Sequence, residues 1–361
     1  MRADVVVIGA GAMGSSAAWW LARRGHVVVL LERFEAGHDR GSSHGATRIF
    51  RHAYDDAHYV RMAKEALPLW RELEADAGRT LLELTGGIDH GPAAVVESIA
   101  AALIGEGVAR EVLRPSAAVN RWPGMRFDEL VLFHPEAGRC LAAATVASLH
   151  ERAAAHGADV RFGVGPASFA VDAAGDGVRV RASDEEWQAR VAVVAAGAWV
   201  REVVDGIELG PTTVTLEQVL HFTPRDPDHP WPSVLHHRAD GPLVYGLQSP
   251  GEGMKVDEHH AGPAIDPEAD PRAADPARRQ RVVDYVEEWF PGLDPTPVHT
   301  ATCLYTTTPT EDFIVDRIGP VVIGSPCSGH GFKFTPLVGR MLADLADGSS
   351  TAPDRRFALR R

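Results

Sequence analysis

A twice-interrupted α/β fold is what this sequence predicts, and three observations predict it. The chain opens with DVVVIGAGAMGSSAAWWLARRGHVVVLLE over residues 4–32. There a β-branched apolar run, three glycines spaced G-x-G-x-x-G, an Ala- and Leu-bearing helix and a second apolar run follow one another. The same α/β character returns near residue 144 and again near 311. The stretches between, 81–143 and 205–310, read as short strands with turns and Pro- and Asp-rich loops. Together these give an α/β protein whose Rossmann-like domain is assembled from 1–80, 144–204 and 311–361. A β-rich, mixed-sheet domain is inserted as 81–143 and 205–310.

Val5, Val6, Val7 and Ile8 are too few for a helix and β-branched enough for a buried parallel strand. Gly9, Gly11 and Gly14 then supply a tight turn, close backbone approach to a pyrophosphate, and close helix–strand packing. The free N–H groups and positive end of a helix over 12–24 meet the phosphates. Gly25 stops that helix and residues 27–31 form the next strand. Glu32, 18 residues past Gly14, closes it where a carboxylate can accept hydrogen bonds from a ribose. A glycine fingerprint alone is weak, but with strand, helix, second strand and acid it points to an adenine dinucleotide.

The loop that follows is dense in Gly, Ser, His and Arg, the kind of long connection that carries function. Asp56 caps a helix with Tyr59, Met62, Ala63, Ala66, Trp70 and Leu73 on one face, and Pro68 is expected to kink or split it. A helix over 141–156 ends at Gly157. Strands follow at 160–162, 178–180 and 191–195, with Gly197 permitting close approach beyond the last. The second insertion carries one helix over 279–289. Strands at 313–316 and 321–324 restore the α/β pattern. Thr335 caps the closing helix with Pro336 at its first position.

Composition bounds the function. The 361 residues are long for one core and fit two domains. A net charge of −13 disfavours nucleic acid and anionic membrane partners. No apolar run reaches 18 residues, and the first strand begins too early to leave room for a signal peptide. Three widely spaced cysteines, Cys140, Cys303 and Cys327, suit neither a disulfide framework nor a metal site, so the expected location is cytoplasmic. Of 36 basic residues only Lys64, Lys255 and Lys333 are lysines. Lys64 reads as a residue of a surface helix. The other two sit in G-E-G-M-K and G-H-G-F-K-F, where a compact ammonium could serve as a fixed charge. Solvated surface lysines are the plain alternative.

The sequence resembles the D-amino-acid-oxidase superfamily of flavoproteins, and within it the monomeric sarcosine oxidase and N-methyltryptophan oxidase family. GAGAMG (9–14), GSSHGATRIFRHAY (41–54), KVDEH (255–259), CLYTTTPTEDFIVD (303–316) and SGHGFKF (328–334) carry the resemblance in the family's order. It implies FAD, bound through Gly9, Gly11, Gly14, Glu32, Ser43, His44, Gly329, Gly331 and the helix after 335. It implies a thioether from Cys303 to the flavin, with Arg48 implicated in the attachment. Lys255 resembles the lysine that activates dioxygen, and Arg51 with Lys333 the pair that grips a substrate carboxylate. Tyr245, His259 and Tyr305 resemble pocket-lining polar groups. Taken alone, Cys303 reads equally as a small buried hydrophobe, and Arg51 as a partner of Asp55 and Asp56.

The implied reaction is oxidation of the C–N bond of a small secondary or N-methylated amino acid, or a cyclic imino acid, with O2 reduced to H2O2 by a monomer. A flavin amine dehydrogenase, a redox-silent FAD scaffold and a nicotinamide dehydrogenase are the alternatives. Three positions depart from the pattern. Ala46 stands where an Asp is usual, Cys327 where a bulky apolar residue precedes SGHG, and Pro166 where a backbone donor could meet the adenine.

Overall fold

The computed structural model describes residues 1–270, 272–350 and 352–359. The opening apolar run becomes the strand Arg2–Ile8 at the centre of an eight-stranded sheet. Val28–Leu31 pairs parallel on one side and Glu185–Val194 on the other, with Asp159–Arg161 beyond Val28–Leu31. Glu185–Val194 is shared. Its first half joins an antiparallel meander with Val178–Ala182 and Ala167–Val171, and its last residues pair parallel with Val321–Ser325. The helices Ala12–Arg23, Ala142–Ala155 and Thr335–Asp347 pack together over one face. Val6, Ile8, Val29, Leu31, Ala192 and Val194 face the other side, toward the meander.

The second sheet, also eight-stranded and mixed, runs in the order Leu293–Thr307, Thr213–Pro224, Gly253–Glu258, Val244–Ser249, Ser233–His236, Gly87–Gly91, Leu130–His134, Glu111–Leu113. Its outer face packs on the helix Pro276–Trp289 through Leu220, Phe222, Met254, Val256, Val282 and Val286. Asp275 caps that helix by accepting from Ala277 N at 2.9 Å, which starts it earlier than the sequence reading. A three-stranded sheet of Leu82–Glu83, Gly138–Leu141 and Thr47–Phe50 joins the two parts.

Several expectations need correction. The 81–143 stretch is not only strands and turns, since it contains the helices Ala93–Gly105 and Pro115–Arg121. Val96, Ile99, Ala100 and Leu103 are buried at helical spacing, a period obscured by the glycine-rich turns on either side. Pro68 does not split its helix, which runs unbroken over Ala57–Ala77 from its Asp56 cap. Pro68 is exposed, so water can reach the carbonyl it frees, while the buried face on both sides holds the helix together. Thr335 is the first helical residue rather than the cap, and its hydroxyl donates back to Phe332 O at 2.6 Å.

Candidate active site

Strand register assembles the site. Across Gly253–Glu258, Lys255 pairs with Leu247 on one side and His221 on the other, and Asp257 pairs with Tyr245. One strand further, Glu217 pairs with Cys303 and Thr215 with Tyr305. Because side chains alternate along a strand, Lys255, Tyr245, Cys303 and Tyr305 share the inner face, opposite the face buried on Pro276–Trp289. His259 follows the strand, anchored by its N–H to Leu243 O at 2.7 Å. Its Nδ1 stands 3.5 Å from Tyr305 Oη. Five sequence-separated candidates therefore meet on one wall.

That wall lines a cavity of about 620 Å³, with Arg51, Lys333, His44 and Arg48 on the facing side. A second cavity of about 620 Å³ runs from Gly9, Gly11 and Glu32 to Ser43, Cys327 and Gly331. The two share His44, Arg48, Tyr305 and Gly329 as walls.

Lys255 is 4% exposed and donates to Thr47 O at 2.8 Å. Burial pushes its pKa down to about 7; Arg48 adds to the effect, and Cys303 and Glu252 oppose it. Lys333, also 4% exposed, donates to Tyr54 Oη at 2.9 Å and His330 O at 2.5 Å. Burial, with Arg51 nearby, holds its pKa well below the usual lysine value. Neither ammonium points into bulk solvent. The third lysine, Lys64, is an exposed helix residue as expected.

Arg51 does not pair with Asp55 or Asp56, since Asp56 caps His58 N and is engaged by Arg356. Its guanidinium lies 4.0 Å from the Tyr54 ring centroid, and among the described residues it makes no hydrogen bond or ion pair. Arg48 is differently used: its Nη1 and Nη2 donate to the carbonyls of Thr47, Ser42 and His44 at 2.8–2.9 Å. It pins the loop and places positive charge beside Cys303. Burial raises the Cys303 thiol to about 11, and the lowering by Arg48 and Lys255 only partly offsets it.

The glycines divide as the fingerprint requires. Gly9 has φ +100°, and a Cβ there would lie 2.5 Å from Ala195 O. A Cβ on Gly14 would lie 1.9 Å from Gly9 O, so its absence permits the helix–strand contact. On Gly11 a Cβ would meet only Ser43 Oγ, at 3.3 Å, within 4 Å, which leaves this turn open to the cleft. Ser43 Oγ accepts from Ala12 N at 3.1 Å. Glu32 accepts from Ala10 N at 2.8 Å and Phe34 N at 3.1 Å. These bonds and His38 outweigh its burial and keep its pKa low. His38 Nε2 stands 3.4 Å from its Oε1, which leaves Oε2 spare acceptor capacity for a ligand. His44 Nε2 is buried on the wall between the cavities without a hydrogen-bond partner among the described residues. An open glycine turn, an ionised acid with spare acceptors and an orphan imidazole nitrogen fit an adenine dinucleotide.

Gly329 and Gly331 serve packing as well as approach. A Cβ on Gly329 would crowd His259 and Tyr305 at 2.7 Å, and one on Gly331 would strike Pro326 O at 1.5 Å. Of the three departures, Pro166 and Cys327 both line the dinucleotide cleft. The Cys327 sulfur also accepts from Thr306 N at 3.4 Å.

Sequence reasoning missed further polar groups of the same wall. Arg278, 2% exposed, meets Glu217 at 3.0 Å and Asp257 at 2.8 Å. His221 stands beside Lys255 in register, and Asp89 is fully buried between His237 and His134. The available signal was charge inside alternating strands, as in TLEQVLHF (215–222).

A dinucleotide cleft that shares walls with a cation-lined cavity defines a flavin-type oxidoreductase, and the chain belongs to the FAD-dependent oxidoreductase (DAO) family, whose model matches residues 4–345. Within that family its relatives are amine oxidases by name. It is 32% identical to the monomeric sarcosine oxidase of Bacillus sp. (strain NS-129), covering 97% of this chain and 94% of the relative. It is 28% identical to the N-methyl-L-tryptophan oxidase of Citrobacter koseri over 98% and 97%. Its fold matches the open form of NikD, an unusual amino acid oxidase, with a TM-score of 0.87 and 29% identity over 99% and 97% of the two chains. Among the described residues no helix is long and apolar enough to cross a membrane.

Proposed function

We propose that this enzyme oxidises the C–N bond of a small secondary or N-methylated amino acid, or of a cyclic imino acid, to an imine, with O2 reduced to H2O2. One observation carries the reading: a half-buried guanidinium that makes no hydrogen bond among the described residues and a buried ammonium line the same cavity as a second buried ammonium. The sarcosine and N-methyltryptophan oxidases among its relatives support it.

Arg51 and Lys333 hold the substrate carboxylate, Arg51 by its fork and Lys333 as a point charge. Tyr245, His259 and Tyr305 shape the opposite wall and exclude water. His259 is kept neutral by burial, with His260 and Arg51 adding to the effect, so the wall adds no cation near the reacting nitrogen. FAD, held by Gly9, Gly11, Gly14, Glu32, Ser43, His44, Gly329 and Gly331, supplies the two-electron chemistry. Lys255 offers an ammonium to the negative charge that develops on dioxygen. Cys303, beside Arg48, is the candidate thioether link. No side chain is assigned as an obligatory base. The protein is read as a monomer, and its three free thiols suit the cytoplasm.

The deciding experiment screens N-methyl and cyclic amino acids for anaerobic bleaching of the yellow enzyme, then for peroxide on admitting air. Bleaching followed by peroxide is expected. Bleaching without peroxide makes it a dehydrogenase, and no bleaching by any such amine refutes the substrate class.

A further inference from the structure

The overall reaction moves two hydrogens from amine to dioxygen. One leaves carbon with the electron pair; the other leaves nitrogen as a proton and is matched by a proton taken up at the nascent peroxide. Amine plus O2 thus balances as imine plus H2O2, provided a proton reaches the site. Lys255 is buried, and its register partner His221 lies on the same face, with the two Cβ atoms about 5 Å apart. The His221 ring is 2% exposed, and neither nitrogen closes a hydrogen bond among the described residues. Its Nε2 stands 3.3 Å from Glu252 Oε2, and the Glu252 side chain is 37% exposed. All three residues line the same cavity.

We propose that Glu252 and His221 form the proton path between solvent and Lys255. This rests on the reading of Lys255 as the ammonium that meets dioxygen. The charged and titratable groups around Lys255 are Arg48, Cys303, Glu252, His44 and His221; His299 faces His221, with ring centroids 5.3 Å apart. Burial, Lys255 and His299 hold His221 at about 4, while Lys255 titrates at about 7. A proton arriving on the ring therefore moves downhill to the amine.

His221→Asn and Glu252→Gln test the path, with flavin absorbance as the check on folding. Reoxidation of the reduced enzyme by O2 slows about ten- to a hundredfold in His221→Asn, with a larger solvent deuterium effect, and added imidazole restores it in His221→Ala. A second readout is independent of turnover. Only three lysines are present, so 15N-lysine NMR resolves each ammonium, and exchange of the Lys255 Nζ protons with water slows in both variants. Parent-like reoxidation and exchange in both variants overturn the path, as does equal slowing of both half-reactions. If Lys255→Met itself reoxidises normally, the reading of Lys255 falls; if it is slow while His221→Asn is not, only the path falls.

Discussion

Lys255→Met should make the protein both more stable and nearly inert toward oxygen, and the two effects share one cause. In the unfolded chain a lysine titrates near 10.5, whereas in the fold Lys255 titrates at about 7. The folded state therefore binds fewer protons between those values, and stability rises with pH across that window. Below pH 7 the ammonium is charged in both states, and the fold carries the full penalty, ~5 kcal/mol for a lowering of this size. Removing the amine relieves that penalty, so the melting temperature of Lys255→Met exceeds the parent's most at pH 6, and the gap closes toward pH 10.5. The same charge, about 4 Å from an oxygen gaining an electron, contributes ~4 kcal/mol at an effective dielectric near 20, or about a thousandfold in rate. Stopped-flow mixing of reduced enzyme with O2 should show that loss in Lys255→Met. In the parent the rate should fall tenfold per pH step above 7 toward the same floor. A melting gap that ignores pH, or a variant reoxidising within threefold of the parent, would show that Lys255 is not a desolvated charge facing oxygen.

Arg51→Gln is expected to raise KM for the amino-acid substrate about ten- to a hundredfold while lowering the melting temperature only slightly, because among the described residues Arg51 makes no hydrogen bond or ion pair and lies over the Tyr54 ring; a steady-state assay beside a thermal melt checks both. Cys303→Ser should bind FAD that is lost to the supernatant on acid precipitation, and in the parent the rate of attachment should climb with pH toward the thiol's value of about 11; a pH-independent rate would contradict a thiolate nucleophile. Gly11→Val should fold but purify colourless, whereas Gly14→Ala should fail to fold because its Cβ would sit 1.9 Å from Gly9 O; circular dichroism and flavin absorbance separate the two.

How much of this was legible in the sequence depends on the range of the forces involved. The Gly9–Glu32 unit was readable because turn, helix and strand are local and each glycine's task is steric. Lys255 and Lys333 stood out only because arginine fills nearly every other basic position. The helix Ala93–Gly105 was lost because its alanine-rich face is broken on both sides by turn signals stronger than its own period. The balance at Cys303 was unreadable for a different reason. Arg48, Lys255 and the thiol are brought together from distant segments, and whether charge or burial wins depends on how deeply the edge strand Leu293–Thr307 is covered. The same holds for Glu217, Asp257 and Arg278, which look like solvated charges along two strands and a helix yet share one buried site. Such a cluster survives only if each carboxylate finds the guanidinium, because a lone one at that depth would neutralise or unfold the wall. That constraint fixes the register of Thr213–Pro224 against Gly253–Glu258, and through it the placement of His221 beside Lys255. The polar network of this wall thus bears on which side chains stand beside Lys255.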